Sequence, residues 1–197
     1  VWVHLYAQGS ATLNVGNEEI KLRQTTNYPW DGNVRIEMGI EHPQTFTVNL
    51  RVPGWCDGWQ LAVNGVPAQN TPLQNGYLSI DRIWQAGDTI DFTMQMPVQV
   101  IWAHPSARFL QGKVALQRGP LVYCIEGTDH QGIPLDNIML NSQQISAGKF
   151  QVEHRDGLLG GVSVLRGPAS LTDENEWTGT LYRYAPASSH PIEITAI

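Results

Sequence analysis

Apolar residues recur at every second position over long stretches of this chain, and that period limits its possible folds more than any other feature. Val34, Ile36, Met38 and Ile40 form one such series, Phe46, Val48, Leu50 and Val52 the next, and Ile90, Phe92, Met94, Met96 and Val98 a third. Side chains two residues apart share one face of a β-strand, so each series reads as a strand half-buried against a core. Between the series stand Trp30-Asp31-Gly32-Asn33, Val63-Asn64-Gly65, Gln74-Asn75-Gly76 and Ala86-Gly87-Asp88, which supply the residues that tolerate positive φ in tight turns. No dozen residues carry an apolar stripe at helical period, and 19 Gly and 12 Pro interrupt nearly every candidate. The chain reads as all-β, with two antiparallel, jelly-roll-like β-sandwich units and very little helix.

The first unit is expected over residues 1–103, because the last strong alternating strand ends before Ala103-His104-Pro105-Ser106 and Pro105 interrupts pairing. Residues 104–190 form a second, less regular sandwich. In it Gly112 to Glu126 supplies two apolar strands split by Arg118-Gly119-Pro120, while 127–180 has few apolar runs. Residues 191–197 alternate again and read as a strand returning to the first sandwich, truncated in mid-pattern. Val1-Trp2-Val3-His4-Leu5-Tyr6 has the pattern of an interior strand, so a longer polypeptide is expected upstream.

With 42% hydrophobic and only 15% charged residues, the chain has the material to bury a core. Twelve scattered Lys and Arg against eighteen Asp and Glu, a formal charge of −6, argue against nucleic acid as a partner. No run of about 18 apolar residues is present, so no membrane-spanning helix is expected. Cys56 and Cys124 are too few for a disulfide framework or a four-cysteine zinc site, and both read as small buried apolar residues.

A search for catalytic groups finds no pattern that would assemble one locally. The six histidines are never within five residues of one another, and neither H-E-x-x-H nor C-x-x-C occurs. Asp31, Asp88, Glu126 and Asp129 fall at or near strand ends, where capping a turn is the reading favoured over general acid or base work. Asp173-Glu174-Asn175-Glu176 lacks the alternating ligand spacing and the glycine of a calcium loop and reads as a solvated loop. The seven tryptophans are the most suggestive feature, since a flat aromatic face can stack on a sugar ring, although each is more readily explained by packing. Trp30 is the best candidate for sugar contact because its turn can project it outward, with Tyr28 beside it.

Several phrases resemble one known family in their order along the chain. They are Thr26-Asn27-Tyr28-Pro29-Trp30-Asp31-Gly32, then Arg51-Val52-Pro53-Gly54-Trp55-Cys56, then Gly76-Tyr77 with Arg82, Trp84, Gly87 and Asp88, then Met96-Pro97-Val98, and finally Gly112-Lys113-Val114-Ala115-Leu116-Gln117-Arg118-Gly119-Pro120-Leu121-Val122-Tyr123-Cys124. Together they resemble the C-terminal region of the β-L-arabinofuranosidase-like glycoside hydrolases, family 127, well over residues 1–126 and faintly over 127–180. The resemblance implies an upstream barrel of helix pairs that carries the active site, where a zinc-bound cysteine nucleophile sits beside glutamates. Those residues have no counterpart here, so no catalytic or metal role passes to Cys56 or Cys124. The implied role is a non-catalytic support for that barrel, its implied partner within the same parent chain, with homodimer contacts as a further expectation. The alternative is a carbohydrate-binding module that grips a glycan through Trp30 and Tyr28.

Overall fold

A computed structural model describes residues 1–197 and divides them into two compact units, Val1–Met96 and Pro97–Ile197. The first contains β1 (Trp2–Val3), β2 (Gly9–Val15), β3 (Glu18–Thr26), β4 (Asn33–Ile40), β5 (Gln44–Arg51), β6 (Trp59–Val63), β7 (Val66–Pro67), β8 (Leu73–Gln74), β9 (Tyr77–Trp84) and β10 (Thr89–Met94). One sheet runs β1-β5-β9-β8 and the other β2-β3-β4-β10-β6-β7. All pairings are antiparallel except β1 with β5, a parallel pair that departs from the expected pattern.

The alternating series fall where their period requires. Val34, Ile36, Met38 and Ile40 on β4 and Ile90, Phe92 and Met94 on β10 are buried, and so are Phe46, Val48 and Leu50 on β5. Each such side chain contributes about 1.5–3 kcal/mol by leaving water. Trp84 is fully buried in this core, and its indole N–H is not left unpaired, because it donates to the carbonyl of Phe46 at 2.9 Å. The β6–β7 and β8–β9 hairpins close on Asn64-Gly65 and Asn75-Gly76, with φ of 53° and 75° and of 49° and 80°. Positive φ at both central residues matches the right-handed twist of the strands they join.

Pro97–Ile197 contains β11 (Val98–Trp102), β12 (Val114–Arg118), β13 (Leu121–Tyr123), β14 (Ile138–Met139), α1 (Ser142–Ser146), β15 (Gln151–Arg155), β16 (Val162–Thr172) and β17 (Ser189–Ala196), with three short 3-10 turns. β11, β12 and β13 form one antiparallel sheet. β16 is the spine of the other, flanked along one edge by β15 and β14 and along the opposite edge by β17. The core gathers Leu116 and Tyr123 with Ile145, Phe150, Leu165, Ala169, Ile194 and Ala196. No helix is long and apolar enough to cross a membrane.

Three expectations from the sequence need correction. The division falls between Met96 and Pro97 rather than at 103–104, because the third alternating series is two strands: β10 ends at Met94, and Val98 opens β11, which pairs with β12. Pro97 lies in the break and has no N–H to continue the β10 ladder. The closing strand does not return to the first sandwich but pairs with β16 from Leu165 to Thr172. Cys124–Ile197 backbone bonds of 2.7 and 2.8 Å tie its end to the segment after β13. Finally, the stretch judged looser holds the longest strand, β16. Its Gly167-Pro168 break signal sits where the β15 and β14 pairings leave a gap, so the missing donor interrupts no bond on that side.

Candidate functional site

Tyr28 and Trp30, singled out for sugar contact, follow β3 in a turn whose Trp30 N–H donates to the Asn27 carbonyl at 2.8 Å. Both rings are half-buried. Tyr28 stacks on Trp55, with centroids 6.5 Å apart and planes 19° from parallel, and meets Tyr6 edge-on at 6.0 Å. Tyr6 continues inward to Phe92 and donates its hydroxyl to the Arg51 carbonyl at 2.6 Å. Burial pushes the phenols of both tyrosines up, that of Tyr6 the further. Tyr28 thus links Trp55 to an aromatic file that runs through Tyr6 to Phe92 in the core.

Of the acids at strand ends, Asp31 and Asp88 use their carboxylates in turns, and Glu126 and Asp129 take part in one through their backbone. Asp31 accepts from the Asn33 N–H at 2.8 Å. Asp88 is buried between two turns, accepting from the Asn64 carboxamide at 2.8 Å and the Gln85 N–H at 2.9 Å, with the Arg82 guanidinium 3.7 Å away. The Asp129 N–H closes a turn on the Glu126 carbonyl, which also pairs with Nδ1 of the buried His130 at 2.8 Å. Nε2 of His130 accepts from the Thr195 N–H at 3.1 Å, so Nδ1 carries the proton and the ring links this loop to β17. In the acidic run, Asp173 caps the following 3-10 turn. Hydrogen bonds from Ser188, then the Arg183 guanidinium, hold the Glu176 carboxyl below its ordinary range.

The residues present do not fit a zinc ion. No group of three or more His, Cys, Asp and Glu side chains is assembled that could hold one. Cys56 is buried, with its Sγ donating to the Gly58 carbonyl, and burial pushes its thiol up. Cys124, expected to be buried, is exposed instead, because at the end of β13 it alternates away from the buried Tyr123.

The structure also assembles an aromatic surface that the sequence reading missed. Trp2, 57% exposed, meets Tyr77 edge-on at 4.8 Å, and His4 lies 6.3 Å from Trp2 with its Nδ1 2.8 Å from the Tyr77 hydroxyl. The short β1 places them there: Val3 points into the core, so Trp2 and His4 point out. Asn49 holds β1 in register, giving both its N–H, at 2.8 Å, and its carboxamide, at 3.3 Å, to the Val1 carbonyl. Alternation at Trp2-Val3-His4 was the available signal, but Tyr77 comes from 73 residues away. In the second unit Trp102 and Phe109 are also exposed, at 65% and 96%.

Comparison with known proteins accounts for nearly every residue. Residues 1–96 match the family model described as the middle domain of the GH127 β-L-arabinofuranosidases, and residues 98–197 match the glycoside hydrolase family 127 C-terminal domain. The chain belongs to glycoside hydrolase family 127. The break between the two family domains coincides with the break between the two compact units. A non-reducing end β-L-arabinofuranosidase of Bifidobacterium longum subsp. longum is 34% identical over 169 residues, which cover 83% of this chain and 25% of that protein. The crystal structure of a family 127 β-L-arabinofuranosidase from Geobacillus stearothermophilus T6 matches 99% of the chain at 40% identity with a TM-score of 0.90, over 30% of its own length. A further family 127 β-arabinofuranosidase matches at 29% identity and a TM-score of 0.82, over 31% of its length. The chain therefore spans between a quarter and a third of these family 127 relatives.

Proposed function

We propose that these two β units are an accessory region of a longer family 127 glycoside hydrolase, supporting a catalytic domain that precedes them and carrying out no hydrolysis themselves. The observation that carries this reading is how the polar groups are used. The Asp31 and Asp88 carboxylates and the buried histidine are held in turns and loop ties, no metal-ligand set is assembled, and the two matched family domains account for nearly the whole chain. The relatives are named as β-L-arabinofuranosidases and are three to four times longer, which leaves room for the reacting groups elsewhere in such a protein.

The surface offered to the preceding domain is Trp2, His4 and Tyr77 with the exposed Leu5, beside the first residue of the chain. Large rings of this kind on a protein surface mark an interface more often than an isolated exposed leucine does. Contacts between copies of the longer protein are a further part of the proposal, for which the exposed Trp102 and Phe109 are the candidate residues. The purified chain, incubated with a chromogenic β-L-arabinofuranoside, is expected to release no aglycone. Turnover that persists through repurification would defeat the reading. In the full-length hydrolase, Trp2→Ala combined with Tyr77→Ala should loosen the preceding domain, seen as faster proteolysis at the junction; an unchanged digestion pattern would remove this surface from the proposal.

A further inference from the structure

The outer face of the six-stranded sheet in Val1–Met96 carries a groove that the accessory role does not use. Cross-strand register places Thr25, Arg35, Asp91 and Ala62 in one row over β3, β4, β10 and β6, and Asn33, Thr93 and Gln60 in the next. A hollow of 600 Å³ opens over Gln60, Ala62, Asp91 and Thr93, bordered by the half-buried Trp59 and by the turn Gln69-Asn70-Thr71. A second hollow of 320 Å³ lies over Thr25, Asn33 and Arg35, and it shares Asp91 and Thr93 with the first. The two adjoining hollows, together called the trough, span three strand spacings, about 14 Å at the ordinary separation of neighbouring strands.

The lining shows what kind of ligand fits. From β3 to β6 the outward side chains are polar, charged or small, and the apolar part of the lining, Trp59, Leu61, Pro67 and Ala68, is gathered at the β6–β7 end. The central charges are balanced, with the Arg35 guanidinium 3.5 Å from the Asp91 carboxylate. An ionic ligand would have to break that pair. Around that pair stands a set of planar donors and acceptors, the Gln60, Gln69 and Asn70 carboxamides, with Trp59 at the border and the second Asp91 oxygen outside the contact with Arg35. Thr93 donates to the Asn33 carboxamide at 3.1 Å, which fixes the second row. Thr71 donates to the Ala68 carbonyl at 3.0 Å, which braces the wall. Neighbouring hydroxyls on a sugar ring present pairs of donors and acceptors that such planar groups meet two at a time.

We propose that this trough is a binding site for a short neutral oligosaccharide, separate from Tyr28 and Trp30 and independent of the accessory reading. The test titrates the 197-residue chain with arabino-, xylo- and gluco-oligosaccharides, and with a galacturonate oligosaccharide as the charged control, following amide signals by NMR. Saturable shifts with at least one neutral oligosaccharide, centred on residues 60–62, 69–71 and 91–93, are expected. Gln60→Ala and Asp91→Ala should each weaken that binding about tenfold or more. Both residues lie on the solvent side of the sheet, where losing an exposed ion pair scarcely affects the fold. Trp30→Ala should leave binding unchanged. Absence of saturable shifts at millimolar concentrations of every neutral oligosaccharide, shifts centred on Trp2 or Trp30, preference for the charged control, or affinity in both trough variants equal to that of the unsubstituted chain would each overturn the proposal.

Discussion

Replacing Asp88 by alanine tests whether the strand-end acids hold the fold rather than wait for a substrate. The Asp88 carboxylate joins two turns: it receives the Asn64 carboxamide from the β6–β7 hairpin and the Gln85 N–H from its own turn, at 2.8 and 2.9 Å, in a buried setting. Asn64 in turn receives the Thr89 N–H at 2.8 Å, so the two turns are bound reciprocally. Hydrogen bonds to a charged acceptor contribute about 1.5–3 kcal/mol each, and shared strain makes two of them less than additive, so Asp88→Ala should cost about 3 kcal/mol. For a unit of roughly one hundred residues that is a fall of about 12–24 °C in Tm. Asp88→Asn keeps an acceptor oxygen and should lose about half as much. The assay is urea denaturation followed through NMR signals of β6 and β10, which report this unit rather than the average of two. A loss below about 1 kcal/mol for the alanine variant would refute the reasoning, since water would then be replacing the carboxylate without penalty.

Other expectations follow from the same geometry. A Cβ added at Gly167 would lie 2.5–2.7 Å from atoms of the Phe150 ring, so Gly167→Ala should destabilise Pro97–Ile197 by about 1–3 kcal/mol, read from its denaturation midpoint. His130→Ala removes the partner of the Thr195 N–H and should cost about 1–3 kcal/mol, with amide exchange rising first at Thr195. A maleimide reagent should modify Cys124 promptly and Cys56 only on unfolding, because burial both hides the Cys56 thiol and pushes its ionisation up. Tyr6 stays protonated in the folded chain above pH 10, where the unfolded chain has begun to lose that proton. Its contribution is therefore intact below pH 10 and declines by about 1.4 kcal/mol per pH unit above it, until the folded chain ionises too. Tyr6→Phe should flatten that decline in alkaline denaturation; an equally steep decline in the variant would rule Tyr6 out as its source.

Sequence alone determined those features that depend on neighbours along the chain. The period of two in residues 34–40, 46–52 and 90–94 settled which side chains enter the core, because alternation is a property of a single strand. Asn64-Gly65 and Asn75-Gly76 settled the two hairpins, because positive φ is a local requirement. The ordered phrases between Thr26 and Cys124 pointed to the family that the comparisons then established. Tertiary structure alone decided partners. Alternation does not say which strand lies alongside: Val98 continues the period of β10 yet belongs to a strand paired with β12, and the last strand pairs with β16. Neither the outward cluster of Trp2, His4 and Tyr77 nor the trough over Asp91 has a local signature. Both come from residues tens of positions apart, brought together only by the register of β1 on β5 and of β10 between β4 and β6.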